Sequence, residues 1–131
     1  MIVIMEENRS FDSFFGTYPR ADGIPRKHGR PTVCVPNGVG RCVKPFLDAN
    51  GTDDSGGQHG PLAGRTDVNG GRMDGFIRVT AAKLISDCLR HRGNSACAHL
   101  RHPNVMSYHD GGQIPNYWAY ARNFVLQDHM F

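Results

Sequence analysis

Two short apolar runs near opposite ends of the sequence predict buried β-strands. Residues 2–5, Ile-Val-Ile-Met, form one continuous run, and polar residues follow it directly. Residues 124–126, Phe-Val-Leu, form the other, which is followed shortly by Asp128 and His129. Continuous apolar runs are typical of strands covered on both faces, as in a parallel sheet. Because such strands need neighbours on both edges, the pattern favours an α/β domain of which this chain is a part, truncated at both ends.

Helical patterns occur in three places. Ser10 is a predicted N-cap for a short turn over residues 11–15, which Gly16 ends. Asp74 is the predicted N-cap of a longer helix, and Pro115 is predicted to begin a third. Apolar positions at helical spacing are Ile77, Ala81, Leu84, Ile85 and Cys88 in the second helix, and Tyr117, Trp118, Ala121 and Phe124 in the third.

The remaining sequence predicts long irregular connections. Residues 17–71 show no sustained period of a strand or a helix, and residues 90–104 are polar and irregular. The chain contains 16 Gly and 8 Pro, about 18% together against a typical ~12%. Connections of this length are generally either functional or disordered. We therefore expect long loops over the surface of a few buried elements.

Charge excludes some classes of function. The net charge of +3 is spread along the chain, and Arg and Lys concentrate only moderately over residues 20–30 and 90–101. Without interleaved aromatic residues, these stretches are interpreted as solvated basic surface, so nucleic-acid binding is not indicated. No window is apolar enough to span a bilayer, and no signal-peptide pattern is present in this chain. Any export signal is expected upstream of Met1.

Four cysteines fall into two close pairs, Cys34 with Cys42 and Cys88 with Cys97. Local disulfides are the first interpretation, although sequence alone allows three connectivities. Such bridges would indicate an oxidising compartment. A zinc site is the alternative, since His99 and His102 lie near the second pair. The spacing disfavours zinc, because no two cysteines are separated by the two to four residues typical of such sites.

The strongest candidate chemistry lies at residues 7–12, Glu-Asn-Arg-Ser-Phe-Asp, directly after the first predicted strand. A carboxylate and an amide oxygen side by side suit a divalent cation that prefers oxygen ligands. In α/β folds, ligands bind at the carboxyl ends of strands. The alternative is that Glu7 and Asn8 cap the following helical turn while Asp12 pairs with Arg9. Spacing alone leaves both interpretations open.

Two further segments are candidates for phosphate binding. Residues 69–76, Asn-Gly-Gly-Arg-Met-Asp-Gly-Phe, combine glycines that permit a tight turn with Arg72, whose guanidinium can hold phosphate with two parallel hydrogen bonds. The alternative is a turn into a capped helix with an exposed arginine. His59 lies in a glycine-rich loop, where a histidine is either functional or merely exposed. His99 and His102 are interpreted as surface residues.

Three motifs in order resemble the bacterial phosphoesterase family that holds non-specific phospholipases C and acid phosphatases. Residues 2–19 resemble its opening motif, Ile-Val-Ile-Met-Glu-Glu-Asn-Arg-Ser-Phe-Asp-Ser-Phe-Phe-Gly-Thr-Tyr-Pro. Residues 69–76 resemble its Asn-Gly-Gly-Arg/Lys-Met-Asp-Gly-Phe segment. Residues 106–131 resemble its stretch with Pro-Tyr-Trp-Ala and Phe-x-Leu-x-Asp. The middle loop, about residues 25–55, and the insert between Cys88 and Cys97 are least similar.

The resemblance implies the N-terminal portion of an alkaline-phosphatase-like three-layer α/β/α fold, incomplete and with long irregular loops. It implies that residues 1–131 are the N-terminal part, truncated at both ends, of a single catalytic domain whose parent enzyme hydrolyses phosphate esters. It assigns Glu7 and Asn8 as ligands of a divalent metal of unknown identity. His59 is assigned to the transferring phosphoryl group, and Arg72 is expected to bind substrate.

The same resemblance places the Ser or Thr nucleophile and the other metal ligands downstream of Phe131. We therefore expect the isolated chain to be inactive. The expected substrate is a phospholipid or a phosphomonoester, with transient contact to a membrane surface. The expected location is secreted, periplasmic or at the cell surface. The alternatives are a small secreted binding module held by disulfides, and a nonfunctional remnant.

Overall fold

The computed structural model describes residues 1–5, 9–49 and 56–129. In these ranges the helices are α1 (Phe11–Phe15), α2 (Pro61–Val68), α3 (Phe76–Thr80), α4 (Ala82–Arg90) and α5 (Pro115–Asn123). The strands are β1 (Arg26–Lys27), β2 (Arg30–Pro31), β3 (Val35–Pro36), β4 (Cys42–Val43), β5 (Phe46–Leu47) and β6 (Ser107–Tyr108). Short 3-10 helices cover Asn69–Gly71, Ser95–Arg101 and Asn104–Met106.

The strands pair two by two. β1 with β2, and β3 with β4, form antiparallel hairpins. β5 and β6 are parallel, with Phe46 opposite Ser107. Because about 60 residues separate these two strands, their pairing fixes the third sequence motif against the middle of the chain. The predicted class, a mixed α/β chain with long irregular loops, is confirmed.

Two small apolar clusters form the core. The first contains Val35, Val43, Ile77 and Met106, and the second contains Ile85, Cys88 and Leu100. Ala81, between α3 and α4, packs against both clusters and so connects them. Full burial of a Val, Leu, Ile or Met side chain contributes roughly 1.5–3 kcal/mol, so each residue of these clusters stabilises the fold appreciably.

Both predicted disulfides are present. Cys34–Cys42 closes the β3–β4 hairpin, and Cys88–Cys97 joins α4 to the 3-10 helix Ser95–Arg101. The zinc alternative is overturned, because these sulfur atoms are consumed in disulfide bonds. His99 and His102 are exposed, as predicted, and His102 lies edge-on to the Phe46 ring.

The two predicted terminal strands are wrong as secondary structure. Residues 2–5 pair with no other strand in the described part of the chain, and Ile2 is 91% exposed. Residues 124–126 are likewise irregular, and Val125 is 86% exposed. A strand forms only where a neighbour accepts its backbone hydrogen bonds. Neither run has such a neighbour among the described residues.

The three predicted helical regions are helical, although the second differs from the prediction in its extent. α1 and α5 begin and end close to the predicted positions, with Pro115 as the first residue of α5. The long helix after Asp74 is instead two helices, which meet at Ala81 where the backbone leaves the helical region. α2 was missed, because Gly64 lies in its interior and it has no clear apolar face.

Candidate functional site

The candidate site is organised around α1, which follows the Glu7-Asn8 pair. Ser10 is the N-cap of this helix, and its hydroxyl oxygen accepts a hydrogen bond from the Ser13 backbone N–H at 3.3 Å. Gly16 ends the helix, and its N–H donates to the Asp12 carbonyl. The chain then folds back so that the Ile24 N–H donates to the Gly16 carbonyl at 2.8 Å. The turn after the opening motif is therefore held at both ends.

The third motif holds α1 from the other side. The His109 backbone N–H donates to the Ser13 carbonyl at 2.8 Å, and Trp118 Nε1–H donates to the Phe14 carbonyl at 2.9 Å. The Phe14 ring also stacks on Tyr117 with 5.3 Å between ring centroids. We name these three contacts the α1 clasp. They join residues about 100 positions apart into one small structure.

His109 is the most deeply buried titratable residue of the clasp. Its side chain is 7% exposed and packs beside the Phe14 ring, with 6.1 Å between centroids. Within the described part of the chain, its Nδ1 has no hydrogen-bond partner. A buried nitrogen without a partner is costly in a structural role, so this imidazole is a candidate for a functional one.

Asp12 of α1 belongs to a group of charged residues that also contains Asp22 and Asp128. The pKa of Asp12 is raised, first by partial burial and second by the nearby Asp22 carboxylate. The pKa of Asp128 is lowered, chiefly because its carboxylate accepts a hydrogen bond from the Asp22 backbone N–H at 2.8 Å. His129 Nε2 lies 3.5 Å from an Asp22 carboxylate oxygen, so these residues form a hydrogen-bonded and charged corner beside α1.

The second motif forms a tight turn between α2 and α3. Gly70 and Gly71 have φ of 67° and 90°, the region that favours glycine. Gly75 is held so close to α2 that an added Cβ would lie 1.8 Å from the Thr66 carbonyl oxygen. The Asp74 carboxylate accepts a hydrogen bond from the Asn69 side chain and lies 3.7 Å from Arg72 Nε. The predicted tight turn is confirmed. The predicted N-cap is wrong, because the Asp74 carboxylate interacts within the turn and no side chain caps α3.

Comparison with known protein families shows that the three motifs belong to one family. A model of the Phosphoesterase family matches residues 1–131. The chain belongs to the phosphoesterase family. The family's chemistry is the hydrolysis of phosphate esters, so the resemblance carried by the three motifs is confirmed at the level of the family.

The predicted site residues of this phosphoesterase occupy different settings. Glu7 and Asn8 lie outside the described residues. His59 is exposed in the loop before α2, and Arg72, with a side chain 70% exposed, follows the other end of that helix. His59 and Arg72 lie beyond opposite ends of α2, an eight-residue helix about 12 Å long. Among the described residues no hydrogen bond or ion pair joins the two side chains.

A complete metal site is not visible in residues 1–5, 9–49 and 56–129, where no group of three His, Cys, Asp or Glu side chains could hold an ion. No helix in these ranges is long and apolar enough to cross a membrane.

Sequence reasoning overlooked His109 and Asp67. Asp67 lies on α2, its pKa is raised by burial, and its Oδ1 has no partner among the described residues. The position of His109 directly after the apolar and aromatic residues Met106 and Tyr108 is a weak signal of burial. Nothing in the sequence around Asp67 signals the same, because α2 itself lacks a helical pattern.

Proposed function

We propose that this phosphoesterase contributes the metal-binding half of a hydrolase of the phospholipase C or acid phosphatase type. The α1 clasp is the observation that carries the proposal. It brings the first and third motifs together around the turn that directly follows Glu7 and Asn8. A ligand pair needs such a rigid support, since metal ligands work only when neighbouring groups fix their orientation.

Glu7 and Asn8 are the proposed ligands. Ser10 already caps α1, so the helix needs no cap from either residue, which weakens the alternative structural interpretation. Their carboxylate and amide oxygens fit a divalent cation that prefers oxygen donors, and further ligands are expected downstream of Phe131. The bound ion would polarise a phosphoryl oxygen and favour ionisation of a nearby hydroxyl.

The chain's other candidates would bind the phosphoryl group. Arg72 offers a planar set of donors that can hold two phosphate oxygens, and its Nε lies 3.7 Å from the Asp74 carboxylate. His59 is proposed to donate a hydrogen bond to the same group. Because α2 separates the two residues, both can reach one phosphate only if it lies along the side of that helix.

The attacking Ser or Thr is proposed to lie beyond Phe131, so the 131 residues alone should show no turnover. The proposed substrates are phospholipids or phosphomonoesters, met by transient contact with a membrane surface. A secreted, periplasmic or cell-surface location is supported by the two disulfides, which persist in oxidising compartments.

The decisive experiment compares two neighbouring carboxylates, Glu6 and Glu7, in the longest natural reading frame that contains residues 1–131. Hydrolysis of p-nitrophenyl phosphate and p-nitrophenyl phosphorylcholine is measured with and without a chelator. We expect metal-dependent turnover that falls at least about 100-fold in Glu7→Gln, because loss of a ligand exceeds the 10–100-fold effect of a supporting residue. Glu6→Gln should retain most of the activity.

The 131-residue chain serves as the second arm. Chelator-sensitive turnover by this chain, abolished in Glu7→Gln, would show that the nucleophile is within it. Equal loss in Glu6→Gln and Glu7→Gln would remove the assignment of a specific ligand. Activity that survives the chelator and both substitutions would contradict the metal-assisted mechanism altogether.

A further inference from the structure

A cleft of about 520 Å³ lies away from the three family motifs, around the Cys88–Cys97 disulfide. Three elements form it: the turn between β3 and β4, the end of α4, and the 3-10 helix Ser95–Arg101. Residues 88–97 belong to the part of the sequence least similar to the family motifs. The cleft is therefore a feature of this chain that the proposed hydrolysis does not use.

Three arginines line the cleft, one from each element or its adjoining loop: Arg41, Arg92 and Arg101. Among the residues that the structure describes, no carboxylate lines the cleft, and none of the three guanidinium groups forms an ion pair. Asn94 and Ser95 add polar side chains to the same wall. Like charges that line one cleft repel one another, so a bound anion would stabilise this arrangement.

The walls of the cleft are fixed by covalent and buried contacts. Cys34–Cys42 closes the hairpin that carries Arg41, while Cys88–Cys97 ties α4 to the 3-10 helix. The Asn37 side chain, almost fully buried, donates to the Leu100 carbonyl at 3.0 Å and accepts from the Arg41 backbone N–H. Gly38 packs directly on Ile85. The backbone positions of the three arginines are thus held before any ligand binds.

The chemistry of the donors indicates the kind of anion. A guanidinium group pairs with two oxygens at once, and a carboxylate is satisfied by a single arginine. Three guanidinium groups in one cleft match an anion with three or four oxygens and more than one negative charge. Phosphate and phosphomonoester groups have this composition.

We propose that the arginine cleft, lined by Arg41, Arg92 and Arg101, is a second phosphate-binding site. Its ligand is inorganic phosphate or the phosphomonoester headgroup of a lipid, which share the same dianionic group. The site is separate from the proposed phosphoryl-binding residues, because neither His59 nor Arg72 lines it.

The test is titration of the oxidised 131-residue chain with inorganic phosphate, followed by calorimetry and by amide chemical shifts. We expect a single site whose shifts centre on residues 93–95. The Arg41→Gln, Arg92→Gln, Arg101→Gln triple variant should bind at least about tenfold more weakly, because it loses three charge-assisted contacts. The matched control is Arg30→Gln, Arg78→Gln, Arg122→Gln, which removes the same charge from exposed positions outside the cleft.

A vesicle arm distinguishes the two sources of phosphate. A lipid headgroup is identified if the chain co-sediments with phosphatidate vesicles and not with phosphatidylcholine vesicles. This co-sedimentation should be lost in the cleft variant and kept in the control. Phosphate binding without vesicle binding identifies the free anion. The proposal is overturned if no phosphate binds up to about 10 mM, or if the control triple weakens binding as much as the cleft triple. Should the cleft variant misfold, the shift map of the unmodified chain decides: shifts centred on residues 69–75 overturn the proposal.

Discussion

At the scale of single residues, the pKa values of two carboxylates beside α1 are shifted in opposite directions. Asp12 is partly removed from water and lies near the Asp22 carboxylate, and both effects raise its pKa. Asp128 accepts a hydrogen bond that lowers its pKa. The folded state therefore disfavours the charge of Asp12 and favours that of Asp128. Residues kept in an unfavourable charged state are common at functional sites, and Asp12 follows the proposed ligands by only a few positions.

Replacement of Asp12 by Asn should stabilise the chain at neutral pH. Because the folded pKa of Asp12 lies above its unfolded value, folding carries a penalty at pH above the folded pKa. That penalty disappears as the pH falls below the unfolded value. We expect a gain of at most about 0.5 kcal/mol at pH 7, since Asp12 is only partly buried, and none near pH 3. Urea unfolding followed by the fluorescence of Trp118 measures this.

Asp87→Asn is the matched control, since Asp87 lies in an exposed pair with Arg90. It should not increase stability. The measured quantity is the difference in unfolding free energy between Asp12→Asn and the parent chain. If this difference is the same at pH 7 and pH 3, the Asp12 carboxylate carries no such penalty.

At the scale of elements, short helices depend on tertiary contacts. α1 has only five residues, too few to be stable by itself. The α1 clasp replaces the missing intrinsic stability with two hydrogen bonds and an aromatic stack. Gly111 permits this, because an added Cβ there would lie 2.7 Å from the Trp118 ring.

Trp118→Phe should loosen the α1 clasp. The substitution removes the donor to the Phe14 carbonyl and part of the ring that packs on Tyr18, at a cost of about 1–2 kcal/mol. Tyr120→Phe, an exposed change on the same helix, should alter stability by less than about 0.5 kcal/mol. Circular dichroism in urea compares the two. Equal effects would mean that the indole hydrogen bond does not support α1.

The two disulfides provide a comparison of burial at nearly constant loop length. Their sequence separations are 8 and 9, so each loop should contribute roughly 2–3 kcal/mol. Cys88 is buried in the second apolar cluster, whereas Cys34 and Cys42 are exposed. We expect Cys88→Ala with Cys97→Ala to cost about 1 kcal/mol more than Cys34→Ala with Cys42→Ala. Thermal unfolding that ranks the pairs in reverse order would contradict this.

At the scale of the whole molecule, large apolar side chains remain in water. Residues 2–5 and 124–125 are exposed and lie outside the described sheets. Apolar, β-branched segments with unpaired backbone groups can pair with other chains. The molecule as described therefore has surfaces that favour association.

Lysine on these segments should reduce self-association. We expect the sedimentation coefficient of the parent chain to increase with concentration, and we expect Ile4→Lys with Val125→Lys to reduce that increase. Leu62→Lys with Val68→Lys is the control, because both residues are exposed on α2 and the pair adds the same charge. Sedimentation velocity over a range of concentrations makes the comparison. If the control reduces self-association to a similar extent, the effect is due to the added charge alone.

The sequence by itself determined the local features and the family. Ser10 and Pro115 predicted helix starts because capping and φ restriction act within a few residues. Both cysteine pairs were predicted because their loops are short, and three ordered motifs identified the phosphoesterase family. Such signals need no knowledge of distant contacts.

Only the tertiary structure decided the features that depend on residues far apart. The sequence could not show that Trp118 holds the Phe14 carbonyl, that His109 is buried, or that residues 2–5 have no strand partner among those described. The arginine cleft likewise arises only when three separate segments fold together. The physical reason is the same in each case: burial, strand pairing and charge convergence are set by neighbours in space, which local propensities do not encode.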